Sequence, residues 1–257
     1  MLELANIYKK FNIGTPDETV LFDDFNLRLE DGEFVSVIGS NGSGKTTMLN
    51  LICGTLFPER GKILYRGADI TGQSEFKRSR TIGRVFQDPK AGTCSGLTIL
   101  ENMALADNKK HLYGLSPGIN RRRVDHYRSL LEQCGMGLEN RLNTLVGSLS
   151  GGQRQALALL IANMAEFDLL ILDEHTAALD PKSSETIMGL TDKFVRQKGI
   201  STLMVTHNLR YALEYGDRLL MMDGGKVILD KKGPEKKALT LDEILDKFYE
   251  ISIEKGN

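Results

Sequence analysis

Gly39-Ser40-Asn41-Gly42-Ser43-Gly44-Lys45-Thr46 decides the fold of this 257-residue chain. The stretch fits the P-loop pattern G-x-x-x-x-G-K-[ST]. It follows an apolar strand pattern at 34–38 and opens a helical pattern at 45–53, which Gly54 is placed to end. Backbone N–H groups in a tight loop can surround a phosphate only where side chains stay clear, so glycine recurs. The helix N-terminus adds a partial positive charge. Lys45 is expected to reach the β- and γ-oxygens of a triphosphate, and the Thr46 hydroxyl to ligate Mg²⁺. The buried strand before and the helix after separate this reading from a chance glycine-rich turn.

Outward from the loop, the first 38 or so residues read as strands at 2–8, 25–30 and 34–38, with a turn at Asp31-Gly32 and an exposed loop at 14–17. A further strand is expected at 82–86. The segment from 90 to 165 reads as helices at 97–108, 121–134 and 150–165, with no clear strand between them. Strands at 169–172, 201–206 and 218–222 then alternate with helices at 182–197 and 208–214. Alternation of this kind implies a parallel sheet. Leu169-Leu170-Ile171-Leu172 is apolar at every position, as a strand covered on both faces should be. A short amphipathic helix at 240–249 is expected to pack on the core.

Composition narrows the partners. Lys and Arg total 33 against 34 for Asp and Glu, a balance that argues against a nucleic-acid binder but not against a local basic patch. Cys53, Cys94 and Cys134 share no metal-ligand spacing and read as core or surface thiols in a reducing compartment. The beginning of the chain carries an early acid and no long apolar run, so it is not expected to be a signal peptide. The richest apolar run, 156–162, is far short of the ~20 residues that cross a bilayer, so membrane contact is expected through a partner.

Leu149-Ser150-Gly151-Gly152-Gln153 distinguishes among P-loop proteins. Ser150 precedes a helix and two bare glycines follow it, which makes a second anion site in a chain that already has one. With the P-loop, Gln87, the acidic strand end Asp173-Glu174 and His207 in order, the chain resembles an ABC transporter nucleotide-binding domain over nearly its whole length. The resemblance implies an α/β fold: a P-loop NTPase core with a RecA-like sheet, an N-terminal antiparallel β subdomain and an inserted α-helical signature subdomain. It implies one ABC ATPase domain over 1–257, with its core at 1–89 and 166–235, the helical subdomain at 90–165 and a helical tail at 236–257.

The same resemblance assigns the site. ATP is expected on Gly39, Ser40, Asn41, Gly42, Ser43, Gly44, Lys45, Thr46 and Thr47, with Phe11 stacking on adenine or else simply part of the core. Mg²⁺ is expected on Thr46, Gln87 and Asp173, with Gln87 also at the hinge to the helical insertion. Glu174 is the expected general base, His207 the γ-phosphate switch, and Lys45 the third catalytic residue. The resemblance implies a head-to-tail dimer in which Ser150, Gly151, Gly152 and Gln153 of one copy cover the γ-phosphate held by the other. Asp180 is placed where the interface is crossed. The remaining histidines His111 and His126 read as surface residues.

Two departures stand out. The family usually has proline after the strand-end acids, where this chain has His175; the histidine is either a packing choice or a modified link between Glu174 and the Asp180 loop. Ala156 and Ile161 replace two arginines usual in the signature helix. These features, with residues 83–89 and 173–181, resemble a bacterial subgroup associated with lipoprotein-type binding proteins and assigned to tryptophan/tyrosine uptake. The implied function is the ATPase subunit of an importer of amino acids or similar solutes. Such a subunit sits peripherally on the cytoplasmic face of the membrane beneath a permease and works indirectly with an extracytoplasmic binding protein. A soluble ABC ATPase of cofactor assembly and an exporter motor are the alternatives.

Overall fold

The computed structural model describes residues 1–108, 118–165 and 167–254, and His111 lies outside them. An antiparallel sheet is built from β1 (Leu2–Phe11), β2 (Thr19–Leu29), β4 (Arg60–Tyr65) and β5 (Ala68–Asp69), in the order β2-β1-β4-β5. The second sheet contains β3 (Phe34–Gly39), β6 (Ile82–Val85), β7 (Leu169–Asp173), β8 (Ser201–Val205), β9 (Arg218–Asp223) and β10 (Lys226–Lys232). Its order is β10-β9-β3-β8-β7-β6, parallel throughout except for β10, which returns antiparallel along β9. The helices are α1 (Lys45–Cys53), α2 (Glu75–Arg78), α3 (Ile99–Asp107), α4 (Val124–Glu132), α5 (Gly151–Met164), α6 (Pro181–Lys198), α7 (Leu209–Glu214), α8 (Pro234–Ala238) and α9 (Leu241–Glu254).

The parallel strands are buried because both faces are covered. Leu169 and Ile171 point into the core shared with α1 and the antiparallel sheet, while Leu170 and Leu172 point into the core shared with α5 and α6. β8 repeats the pattern, with Leu203 and Val205 on the first side and Met204 on the second. This is the two-residue alternation of a strand expressed in residues that are all apolar. The chain is thus an α/β P-loop NTPase fold, as the P-loop and its flanks imply.

The strands expected at 2–8 and 25–30 are longer than their apolar cores, reaching Phe11 and starting at Thr19. β1 tolerates a bulge where Asn6 takes a left-handed φ of 52° and its N–H donates to Asn26 Oδ1 at 2.8 Å. β4 and β10 are additions that the reading missed. β4 hides behind a turn-like Arg60-Gly61, and β10 is an edge strand that carries Lys226, Lys231 and Lys232, charges of the kind that discourage edge-to-edge pairing. Among the described residues between β6 and β7 there are helices and one isolated bridge, Thr98 to Leu145, but no named strand. α9 covers a third apolar cluster through the fully buried Ile244, as expected of the tail.

The topology gathers chemistry at one edge. β8 lies between β3 and β7, and Val205 is in register with both Val37 and Asp173. The carboxyl ends of three neighbouring strands therefore deliver the P-loop, the Asp173-Glu174 pair and His207 to the same rim, which is where open α/β sheets bind ligands.

Candidate nucleotide-binding site

The P-loop is shaped by close backbone approach. A Cβ on Gly39, whose φ is 154°, would lie 2.2 Å from the Met222 carbonyl oxygen, so only glycine can turn the chain there. Gly44 caps α1 with φ 105° and supplies no side chain, leaving the first N–H groups of the helix to the loop's concave side. Lys45 Nζ is buried and donates to the Gly39 and Ser40 carbonyls, both at 2.8 Å, and to Ser43 Oγ at 3.4 Å. Burial lowers the Lys45 pKa, and the negative charge of Glu174 pulls it back up. Ser40 Oγ donates to Asp223 Oδ1 at 2.9 Å, tying the loop to the end of β9. Asn41, Gly42 and Thr46 are exposed and Thr47 is half-buried.

Glu174 has a left-handed φ of 48°, uncommon for a residue with a Cβ, and its N–H donates to the Val205 carbonyl at 2.9 Å. That bend turns its carboxylate toward the next strand end, where Oε1 stands 2.7 Å from His207 Nε2. His207 occupies the short turn between β8 and α7. Asn208 caps α7 by accepting from Tyr211 N–H, and Thr206 Oγ1 accepts from Asn208 N–H. Glu174 and His207 share the wall of a pocket of about 480 Å³ with Leu179 and Tyr211. Lys45, Glu174 and His207 are thereby brought to one locale.

Asp173 is not solvated: its Oδ2 accepts from Arg84 Nη2 at 2.6 Å. Thr46 offers a hydroxyl, Asp173 a carboxylate and Gln87, exposed just beyond β6, an amide oxygen. An all-oxygen donor set of one carboxylate and neutral groups fits Mg²⁺, which arrives with phosphate ligands of its own. Phe11 ends β1 half-buried, with Lys9 Nζ 5.4 Å from its ring centroid.

The signature lies elsewhere. Ser150 Oγ accepts from Gln153 N–H at 3.2 Å, and Gln153 Oε1 accepts from Ser150 N–H at 3.3 Å, a reciprocal cap of α5. Gly152 is where α5 meets α6, since a Cβ there would come 2.7 Å from Ser183 Oγ. Asp180 caps α6 by accepting from Ser183 N–H, and that hydrogen-bonded pairing holds its carboxyl below the usual range. Among the described residues no hydrogen bond or ion pair joins residues 150–153 to the P-loop. One chain brings one set together and leaves the other apart.

His175 belongs to the packing alternative. It is 2% exposed, and its Nε2 is 3.3 Å from Thr191 Oγ1. The Thr191 hydroxyl already donates to Ile187 O at 2.8 Å, so the imidazole must be the donor. Burial depresses the His175 pKa to about 4, which keeps the ring neutral. The contact with Glu174 or Asp180 that a modified link would need is replaced by this one. Of the positions that lack arginine, Ala156 is fully buried and Ile161 lines a cleft of about 610 Å³ beside β6. His126 is exposed, as expected.

Three contributors escaped the reading. Arg84 was visible only as part of a motif; its partners Asp173 and Asn50 are 89 and 34 residues away. Arg154 is buried and donates to the carbonyls of Val146, Gly147 and Leu149, bracing the loop before the signature. Gln155 Nε2 donates to Phe86 O at 3.3 Å, linking the signature helix to the short segment between β6 and Gln87. An arginine directly after the signature pentapeptide was the available signal for the second.

The family profile described as ABC transporter matches residues 22–177. The "Tyrosine transport ATP-binding protein" of Clostridioides difficile (strain R20291) is 48% identical, with 96% of this chain and 98% of that protein covered. The "Phosphonates import ATP-binding protein PhnC 1" of Ruegeria sp. (strain TM1040) is 33% identical over 97% of this chain and 94% of its own. A dimeric structure of the ATP-binding cassette MJ0796, in a post-hydrolysis state bound to ADP and Pi, superposes with a TM-score of 0.76 at 30% identity, covering 90% of this chain and 98% of the other. A P-loop, a carboxylate–imidazole pair at the strand ends and a separately capped signature helix thus sit on a known cassette fold, and the chain belongs to the ABC transporter family as an ATP-binding subunit.

Proposed function

We propose that the chain hydrolyses MgATP in a head-to-tail dimer and thereby drives a separate permease that imports an aromatic amino acid. The observation that carries the ATPase reading is Glu174 Oε1 at 2.7 Å from His207 Nε2, on the rim where Lys45 feels the charge of Glu174. Lys45 exchanges its carbonyl partners for phosphate oxygens, and Phe11 stacks on the base. Glu174 accepts the proton of the attacking water, and His207 holds that carboxylate and faces the γ-phosphate. When bound, Mg²⁺ neutralises phosphate charge, with Thr46, Asp173 and Gln87 as its protein donors. Residues 150–153 of the second copy close the site, with Asp180 at the boundary between copies.

In this reading residues 1–89 and 166–235 form the nucleotide-binding core, 90–165 the helical arm and 236–257 the tail. No helix among the described residues is long and apolar enough to cross a membrane. In the proposed transporter the chain acts peripherally on the cytoplasmic face, and an extracytoplasmic binding protein selects the solute. The relative named for tyrosine transport, 48% identical over 96% of this chain, supports the substrate class.

The dimer is tested by mixing a Lys45→Ala chain with a Ser150→Arg chain. Only the mixture should trap nucleotide, at the one site with both motifs intact. Trapping in monomers regardless of Ser150 defeats the shared site. Radiolabelled tyrosine uptake should require the chain and be lost with Glu174→Gln; undiminished uptake sinks the transport reading.

A further inference from the structure

Arg84 stands where three elements of the site meet. It lies on β6, three residues before Gln87; its Nη2 donates to Asp173 Oδ2 at 2.6 Å, and its Nη1 donates to Asn50 Oδ1 at 2.9 Å. Asn50 is one turn beyond Thr46 on α1. The side chains of Arg84 and Asp173 are only 13% and 15% exposed, so the pair is shielded rather than loose on the surface. Nε is buried with no acceptor, and the guanidinium lies 4.9 Å from the Phe86 ring centroid. The facing helix α5 presents Ala158 and Ile161 to the same cleft. No second cation comes from those positions to replace Arg84.

A carboxylate this close to a triphosphate site has an electrostatic problem. Bare, it repels the nucleotide; paired with a guanidinium, it is neutralised but must share its oxygens with any cation that follows. We propose that Arg84 is a positioning residue that neutralises Asp173 and competes with Mg²⁺ for it, so that it sets how strongly nucleotide binding depends on the metal. Asn50 and the Phe86 ring hold the guanidinium in place, which makes the arginine a fixed counter-charge of the strand-end acid. The proposal rests on the reading of Asp173 as the Mg²⁺ carboxylate.

The test measures the dissociation constant of a fluorescent, non-hydrolysable ATP analogue in excess EDTA and in saturating Mg²⁺, and takes the ratio. With Arg84→Met the EDTA value should weaken and the Mg²⁺ value should not, raising the ratio on the order of tenfold. Arg84→Lys keeps the charge and should return the ratio toward wild type. In an Asp173→Asn background, Arg84→Met should leave the ratio unmoved, because the charge it compensates is gone. If Arg84→Met does not fold, Arg84→Gln takes its place. An unchanged ratio in a folded neutral variant overturns the proposal, and so does a lysine variant that behaves like methionine. Asp173→Asn with a wild-type ratio would sink the metal reading of Asp173 itself; a changed ratio there with no Arg84 effect sinks only the role of Arg84.

Discussion

Replacing His175 with glutamine should remove about 2 kcal/mol of acid sensitivity from the fold. The imidazole is 2% exposed, donates to Thr191 Oγ1, and has its pKa depressed by burial to about 4. In the unfolded chain it titrates at about 6.5. The unfolded state therefore binds more protons between these values, and stability falls as pH drops through that window. The contribution is fully present above about pH 6.5. Near pH 5 the linkage gives a loss of about 2 kcal/mol, against less than ~0.1 near pH 7.5. Glutamine can still donate to Thr191 but does not titrate. Whatever glutamine costs in packing is common to both conditions and cancels in the difference. Urea unfolding followed by circular dichroism, at both pH values for both proteins, reads the quantity directly. Equal losses on acidification would refute the buried, neutral histidine. The same geometry predicts that His175→Gln leaves the pH dependence of ATP turnover in place, because the ring faces α6 and not Glu174.

Glu174→Gln keeps the shape and a hydrogen bond to His207 but cannot take a proton; phosphate release should fall by roughly 10²–10⁴-fold with ATP binding retained. Lys45→Ala should abolish detectable ATP binding, measured by fluorescence titration, since it removes a charge-assisted contact to phosphate. Gly39→Ala should cost more than about 3 kcal/mol or prevent folding, because its Cβ would sit 2.2 Å from the Met222 carbonyl oxygen; a wild-type melting temperature would contradict that packing. Gly152→Ala should destabilise by roughly 1–3 kcal/mol, and Ser183→Gly should relieve it, because Ser183 Oγ and Cβ lie 2.7 and 2.9 Å from the added carbon.

Legibility followed locality. The P-loop, the signature cap and the strand at Leu169–Asp173 were readable because each is a contiguous pattern whose physics is local: a bare turn, an N-cap, an apolar run. β10 was not, since this edge strand has only three apolar residues, Val227 to Leu229, before the charged run Asp230-Lys231-Lys232, and so resembles a solvated loop. Arg84 could be quoted but not interpreted, because its meaning depends on Asp173, 89 positions away, and on Asn50 behind the P-loop. His175 was ambiguous for a related reason. A histidine beside two acids suggests a charge partner, and only the path of β7 into α6 reveals that the ring points toward Thr191.

The two anion sites differ in what a phosphate must displace. Lys45 already donates to Gly39 O, Ser40 O and Ser43 Oγ, which keeps a buried ammonium satisfied, so a phosphate oxygen replaces neutral acceptors and gains through the charge it brings. The signature is otherwise. Ser150 Oγ is an acceptor in its cap, so the cap does not use the hydroxyl proton, and Gly151, the first residue of α5, is exposed at the helix end. An incoming γ-phosphate can meet the signature with that cap intact. In the proposed dimer the first contact, at the P-loop, is therefore an exchange of hydrogen bonds, and the second, across the interface, is an addition. The added contacts exist only when a nucleotide already sits on the P-loop of the facing copy and presents its γ-phosphate. On this argument the bridging γ-phosphate ties closure of the dimer to ATP, and its loss on hydrolysis removes the bond that Ser150 gained without giving up its own.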